Sequence, residues 1–415
     1  MTVKRRRRST RSVLTILVAW AALIGGGGLA RADAGDRPVL QYRSLAPVAP
    51  GVEYREFSLP GSHGPAYGHM LRVDLSRPDV SLDLLHPGSV AARSTVSRMT
   101  ADEDAVAGVN GDFFNITETQ HPGVEATGAP VGPSIANGRR LGAAVPNGQR
   151  FGPAMPPGVN TRDVIGLGTD DRGRLDRLTL EGTVTAEGRT LPLRGLNQYA
   201  LPVGGIGVYT PSWGTASRVR ATCGTDTSRG APCTDETHEL TVRNGKVTAS
   251  AHKPGRGAIA SGTLVLVGRD AGARELRKLK VGDAVRVHDR LKPAHGGALR
   301  FAIGGFPVLR DGRPLSGLDG ATSAVRTAAG LSDEGRLFYL LALDGAADYR
   351  TGLTVAELAD LMRDLGANDA VNLDGGGSST LVTRDPDSGR TLVRNHPSGG
   401  AERPVANGIG VFLRT

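Results

Sequence analysis

The sequence predicts an α+β protein built of mixed, strand-rich sheets with a C-terminal βαβ unit and few helices. Three observations lead there. Glycine is abundant, at 59 residues, while aromatics make up only 4%, a balance that favours short strands and turns over long packed helices. Short runs that alternate apolar with polar residues recur between turn signals for most of the length. The last third instead carries two nearly continuous apolar runs separated by a capped amphipathic stretch, the order strand, helix, strand. With 415 residues, 39% apolar and 22% charged, the chain can bury one large core or two ordinary ones and has no bulk signature of disorder.

Residues 1–32 read as an export signal. Lys4, Arg5, Arg6, Arg7, Arg8 and Arg11 form a basic stretch, Val13 to Ile24 an apolar run of twelve, and Ala30-Arg31-Ala32 a small-residue cleavage pattern. Such a run is short for a bilayer span, so the expected protein is secreted, with no stable membrane span after cleavage. The competing reading is an uncleaved anchor lengthened through the Gly25 to Gly28 tract. Residues 33–50 lack periodicity and read as a linker, which leaves 51–415 as the domain. Removing residues 1–32 takes away seven cations and no acid, so the formal charge falls from +9 to +2. No basic stripe with interleaved aromatics remains, which argues against nucleic acid as a partner.

From Val52 to Leu59, Met70 to Leu75 and Val80 to Leu85 the alternation predicts half-buried strands, and a helix is expected around Val96 to Asp104. The stretch from about 160 to 300 reads as a β-rich middle region. Its turn signals are Asp171-Arg172-Gly173, Glu187-Gly188 and Asn244-Gly245, and Leu264 to Val267 and Ala284 to Val287 are further strands. Cys223 and Cys233, the two cysteines of the chain, are expected to close one local disulfide in an exported protein, the alternative being two free thiols.

"RLFYLLALD" is then a strand buried on both faces. In "TVAELADLMRDLG", Thr354 and Glu357 make a capping box, Val355, Leu358, Leu361, Met362 and Leu365 share a helix face, and Gly366 stops it. "DAVNLD" is a second buried strand. The two strands of such a unit run parallel, and ligands gather beyond their carboxyl ends, where Asp344 and Asp374 stand in "LALDG" and "VNLDG". Upstream, "GVNGDFF" sets Asn110 and Asp112 two apart, as Asn372 and Asp374 are, so each pair could face one pocket.

Several chemistries fit these residues. Gly375, Gly376 and Gly377 could bind an anion through their N–H groups or simply turn the chain. Without a lysine before Ser378 the loop is no nucleotide P-loop, and without Gly-x-Ser-x-Gly it is no nucleophile elbow. Asp374, Asp344 and Asp112 could serve as a paired acid and base at a glycosidic centre, cap turns, or hold a divalent cation through oxygen ligands. The motifs require no cofactor, and no His cluster has zinc spacing. Arg326 and Arg403 are candidate phosphate clamps or ordinary surface arginines, and His396 reads as a loop residue.

In this order, "VAGVNGDFFN", "AIGGFPVLRDG", "RTAAG", "LALDG" with its helix, "AVNLDGGGSSTL" and "ERPVANGIGVF" resemble the phosphodiester glycosidase family, over roughly residues 52–415. The resemblance implies hydrolysis of a sugar-1-phosphodiester, or a phosphoglycan of wall or capsule, to free sugar and phosphomonoester. It carries Asn110, Asp112, Arg326, Asp344, Asp374, Gly375 to Gly377, Ser378 and Arg403 into matching motifs. Two positions depart from what the family often shows: Val325 stands before Arg326 in place of Pro, and Ala346 follows Gly345 in place of Arg. The alternatives are an exported non-catalytic binder of phosphate-containing polysaccharide and a metal-dependent phosphodiesterase.

Overall fold

The computed structural model describes residues 40–414 except 347 and 349–351. The expected export signal and the first part of the expected linker lie outside the described residues. The remainder of that linker is not loose chain: Gln41–Ala49 is a strand, paired antiparallel along Val52–Gly61. Its side chains alternate toward solvent with little apolar burial, so main-chain pairing rather than periodicity holds it.

Two sheets carry the site. In the larger, eight strands lie in the order 41–49, 52–61, 64–74, 337–343, 327–332, 369–373, 306–310 and 313–314. In the smaller, five lie in the order 391–393, 381–384, 107–110, 408–413 and 80–85. The strand Leu337–Leu343 shows why these sheets stack. Leu340 and Ala342 enter the core shared with Val109, Leu82 and Val411 of the smaller sheet, while Leu341 and Leu343 enter a second core with the helix Val355–Asp364. The order of layers is helix, large sheet, small sheet.

The capping box forms: the Glu357 N–H donates to Thr354 Oγ1 at 3.2 Å and the Thr354 N–H to Glu357 Oε2 at 2.8 Å. Val355, Leu358, Leu361 and Met362 are buried under the sheet, and Gly366 follows at φ +97°, a left-handed turn that suits glycine. The flanking strands do run parallel, but not side by side. Thr327–Ser332 lies between them, antiparallel to both, so the βαβ unit is split by a strand that precedes it in sequence.

The middle region forms most of a seven-strand sheet, completed by 134–136 and 139–142, with 285–293 paired to 173–186, and a five-strand sheet around Thr263–Arg269. Glu187-Gly188 and Asn244-Gly245 make two-residue hairpin turns, with positive φ at each residue, the geometry that matches strand twist. Cys223 and Cys233 are disulfide-bonded. Beside them Arg220, fully buried, donates to Glu118 Oε2 at 2.6 Å and Gln149 Oε1 at 2.9 Å, and Glu118 also takes the Asn115 amide at 2.7 Å. This network ties the segment after "GDFFN" to the disulfide loop.

Truncating one member of a buried ion pair strands the other charge, whereas losing a short disulfide loop mainly frees the unfolded chain. Arg220→Ala is therefore expected to lower unfolding free energy by about 3 to 5 kcal/mol, and Cys223→Ser with Cys233→Ser by about 2 to 3 kcal/mol, both read from urea titrations. Equal or reversed costs would contradict Arg220 as the main counter-charge of Glu118, whose carboxylate otherwise meets the Asn115 and Gln120 amides and His121 Nδ1.

Candidate functional site

The two Asn-x-Asp motifs meet where the sheets converge. Strand 107–110 ends on Asn110 and strand 369–373 on Leu373, and the Asp374 N–H donates to the Gly111 carbonyl at 2.9 Å. Asn110 clamps the junction: its Nδ2 donates to the Asp374 carbonyl at 2.6 Å, while its Oδ1 accepts the Thr380 N–H at 2.9 Å and the Thr327 hydroxyl at 3.0 Å. Asn110 is fully buried, so its role is to hold backbone. Asn372 is buried too, with Oδ1 lacking a hydrogen-bond partner among the described residues.

Asp112 lies near enough to Asp374 to feel its charge. Its main-chain N–H donates to Asn407 Oδ1 at 2.9 Å, and its Oδ2 accepts the Gly132 N–H at 2.6 Å, while Oδ1 has no partner among the described residues. Burial pushes its carboxyl up to about 7 against the Gly132 and Phe113 N–H groups, and the Asp374 charge adds to the rise. Asp374 itself is half-buried. Burial raises it to about 6, opposed by a hydrogen bond from Ser378 and by the Arg403 charge. Below about 6 both carboxyls of this junction are protonated.

The glycines are explained by closeness. A side chain at Gly375 would strike the Val325 carbonyl, and one at Gly377 the Arg403 guanidinium. The Gly376 N–H donates to the Val325 carbonyl at 2.8 Å, so the loop is pressed against the chain that leads into strand 327–332. Arg403 lies over Gly377, exposed, with Nη1 3.4 Å from Ser378 Oγ. It also lines a cleft of about 650 Å³ with Arg93, Arg256, Glu125 and Thr127. Sequence reasoning did not find the cleft, because its walls come from separate segments spread between Ala91 and Pro404.

Two candidates are placed elsewhere. Arg326 turns inward at 6% exposure, with Nε on the Leu353 carbonyl at 2.9 Å and Nη2 on the Thr322 carbonyl at 2.8 Å. It braces the chain ahead of its strand, and those two donors are not presented to a ligand. Asp344 points to histidines: Oδ1 is 3.0 Å from His69 Nε2 and 3.0 Å from His396 Nδ1, and accepts the His396 N–H at 2.6 Å. Burial would raise this carboxyl, but His69 and His396 together hold it below the usual range. Asp344 and Asp374 stand beyond strands two positions apart in the sheet, a backbone spacing of about 10 Å. They are joined through Asn395, which donates to the Leu343 and Ser379 carbonyls.

Residues 236–412 match the phosphodiester glycosidase family. The matched region is less than half of the chain. It contains Arg326, Asp344, Asp374, the glycine loop and Arg403; Asn110 and Asp112 lie before it and reach it through the fold. Among solved structures, a hypothetical protein from Synechocystis is similar at TM-score 0.67 and 22% identity, covering 91% of this chain and 64% of that one. This chain thus spans less than two thirds of that relative's length. A Burkholderia pseudomallei K96243 protein whose name proposes that it is exported is similar at TM-score 0.66 and 21% identity, covering 91% and 97%. The catalytic domain of zebrafish N-acetylglucosamine-1-phosphodiester alpha-N-acetylglucosaminidase, auto-inhibited by its pro-peptide, superposes more loosely, at TM-score 0.42 and 17% identity over 91% of this chain and 88% of that one. No curated protein matches the chain.

The raised carboxyls at this junction make a stability prediction. A carboxyl raised in the fold binds a proton that the unfolded chain has already lost, so its contribution is full below the unfolded pKa near 4 and is lost as pH rises through the folded value. Asp112, near 7, should make the protein less stable at pH 8 than at pH 5. In Asp112→Asn that decline should shrink, by at most about 3 kcal/mol, in denaturant melts at both pH values. Parallel wild-type and variant curves would remove Asp112 as the titrating group.

Proposed function

We propose that the chain is an exported hydrolase that cleaves a sugar-1-phosphodiester on the sugar side, releasing free sugar and a phosphomonoester. The observation that carries the reading is Asp374, a half-buried carboxylate with a raised pKa beside the Gly375 to Ser378 loop and Arg403, within the family-matched region. Export is supported by the basic and apolar character of residues 1–32 and by the disulfide. No helix among the described residues is long and apolar enough to cross a membrane.

In this reaction the leaving group is a phosphate ester, already acidic, so it needs charge neutralisation more than a proton. Arg403 supplies a guanidinium matched to phosphate oxygens, and the glycines leave backbone N–H groups close enough to join it. Asp374, ionised above about 6, takes the proton of the attacking water or attacks the sugar carbon itself. Asp112 stays protonated longer, so near pH 6.5 the pair carries about one negative charge. Asp112 supports that charge state without touching substrate.

The rate of sugar release, followed over a panel of sugar-1-phosphodiesters, should rise with pH through about 6 as Asp374 ionises. Asp374→Asn should lose at least about 10²-fold together with that acid limb. Arg403→Ala should weaken inhibition by the phosphomonoester product by about tenfold or more, with Arg403→Lys between. Oxygen from labelled water should appear in the sugar. Label in the phosphate would replace this reading with cleavage of the P–O bond, and Asp374→Asn within about threefold of wild type would remove its catalytic role.

A further inference from the structure

A chain of polar groups runs across the large sheet from Glu56 to Asp344 and ends on His396. The Tyr54 hydroxyl donates to Glu56 Oε1 at 2.9 Å and lies 2.7 Å from His69 Nδ1; His69 Nε2 lies 3.0 Å from Asp344 Oδ1, and so does His396 Nδ1. A tyrosine has one proton and an ionised carboxylate has none to give. Tyr54 commits its proton to Glu56, so the contact with His69 needs the ring to donate from Nδ1. A neutral imidazole carries one N–H, which leaves the Nε2 lone pair facing the lone pairs of Asp344 Oδ1. Two acceptors at that distance repel unless something positive lies between them, a second ring proton or a metal ion. A proton on His69 would satisfy one contact. A cation would satisfy His69, Asp344 and His396 together.

We propose that His69 Nε2, His396 Nδ1 and the Asp344 carboxylate form a binding site for a zinc-like first-row divalent cation. The three ligand atoms lie within 4.8 Å of one another, and bonds of about 2.1 Å put neighbouring tetrahedral ligands roughly 3.4 Å apart. Two imidazoles with one carboxylate suit zinc and its neighbours better than calcium or magnesium, which favour oxygen ligands throughout. The surrounding contacts are those of a supported site. Tyr54 fixes the far nitrogen of His69, the arrangement that orients metal-bound histidines, and is itself stacked on that ring and covered by Arg394. His69 and Asp344 are buried, while the His396 side chain is 56% exposed, so the site reaches solvent on one side. Ser398, two residues on, donates to the Gly376 carbonyl at 3.4 Å, which puts the cation next to the glycine loop.

The test uses the tag-free chain, stripped with a chelator and titrated with zinc chloride by calorimetry, with bound metal counted by elemental analysis after gel filtration. Wild type should retain one equivalent. His396→Ala, at an exposed position, should bind at least about 100-fold more weakly. Tyr54→Phe, which removes the hydroxyl shared by His69 and Glu56 but no metal ligand, should bind about 10-fold more weakly. His69→Gln should also lose the metal, and if it fails to fold, His396→Ala decides. Asp374→Asn should bind zinc as wild type does, so failure of the glycosidase reading and failure of this one are separate results. Wild type that retains no zinc, or that binds it no better than His396→Ala, overturns the proposal and leaves a protonated His69 as the group between the acceptors.

Discussion

One side-chain amide holds the candidate site together. Asn110 spends its donor on the Asp374 carbonyl and its acceptor on the Thr380 N–H and Thr327 hydroxyl, thereby joining the end of the small sheet to the large sheet and to both sides of the glycine turn. These groups are away from solvent, and each unpaired one would cost about 1 to 3 kcal/mol. An amide that both donates and accepts is what this junction needs. A carboxylate could only accept, and an aliphatic residue would take their partner from the Asp374 carbonyl and the Thr380 N–H and leave the Thr327 hydroxyl to Ser379.

The junction in turn explains why acids there are raised while Asp344 is depressed. The sheets approach closely enough to exclude water from Asp112 and to limit it at Asp374, and the nearby dipoles only partly repay the lost solvation. Asp344, at the end of a parallel strand in the same sheet, meets two histidines and a backbone N–H instead. Two carboxyls in matching sequence contexts thus have opposite electrostatics, set by partners that lie far away in the chain.

That distance marks what could be read from the sequence. The helix after Thr354 was legible because its cap, apolar spacing and stop all lie within thirteen residues, and the hairpins because Asn-Gly and Glu-Gly tolerate positive φ. The convergence of Asn110 with Asp374 was partly legible, since two similar strand-end motifs pointed to one pocket. The insertion of strand 327–332 between the parallel strands was not, because alternation reports which face is buried and not which strand is the neighbour. Nor was the inward turn of Arg326, which depends on the Leu353 carbonyl arriving from beyond the next strand. His69 gave no signal: it is separated from Asp344 by 275 residues, and a histidine in an alternating strand reads as one more polar position. Residues 41–49 read as linker because an edge strand held by main-chain bonds leaves little apolar pattern.

The glycine turn at 375–377 joins these threads. Its residues are small because two separate neighbours press on it, the Val325 carbonyl on one side and the Arg403 guanidinium on the other. A larger side chain at Gly375 would push Asp374 away from the carbonyl-lined chain, and one at Gly377 would lift Arg403 off Ser378. On the proposed reading the turn therefore sets the distance between the carboxylate that acts on the sugar and the guanidinium that holds the phosphate. That distance is a property of backbone packing between two sheets, so it persists without substrate, and preorganisation of this kind avoids reordering charges when the bond breaks.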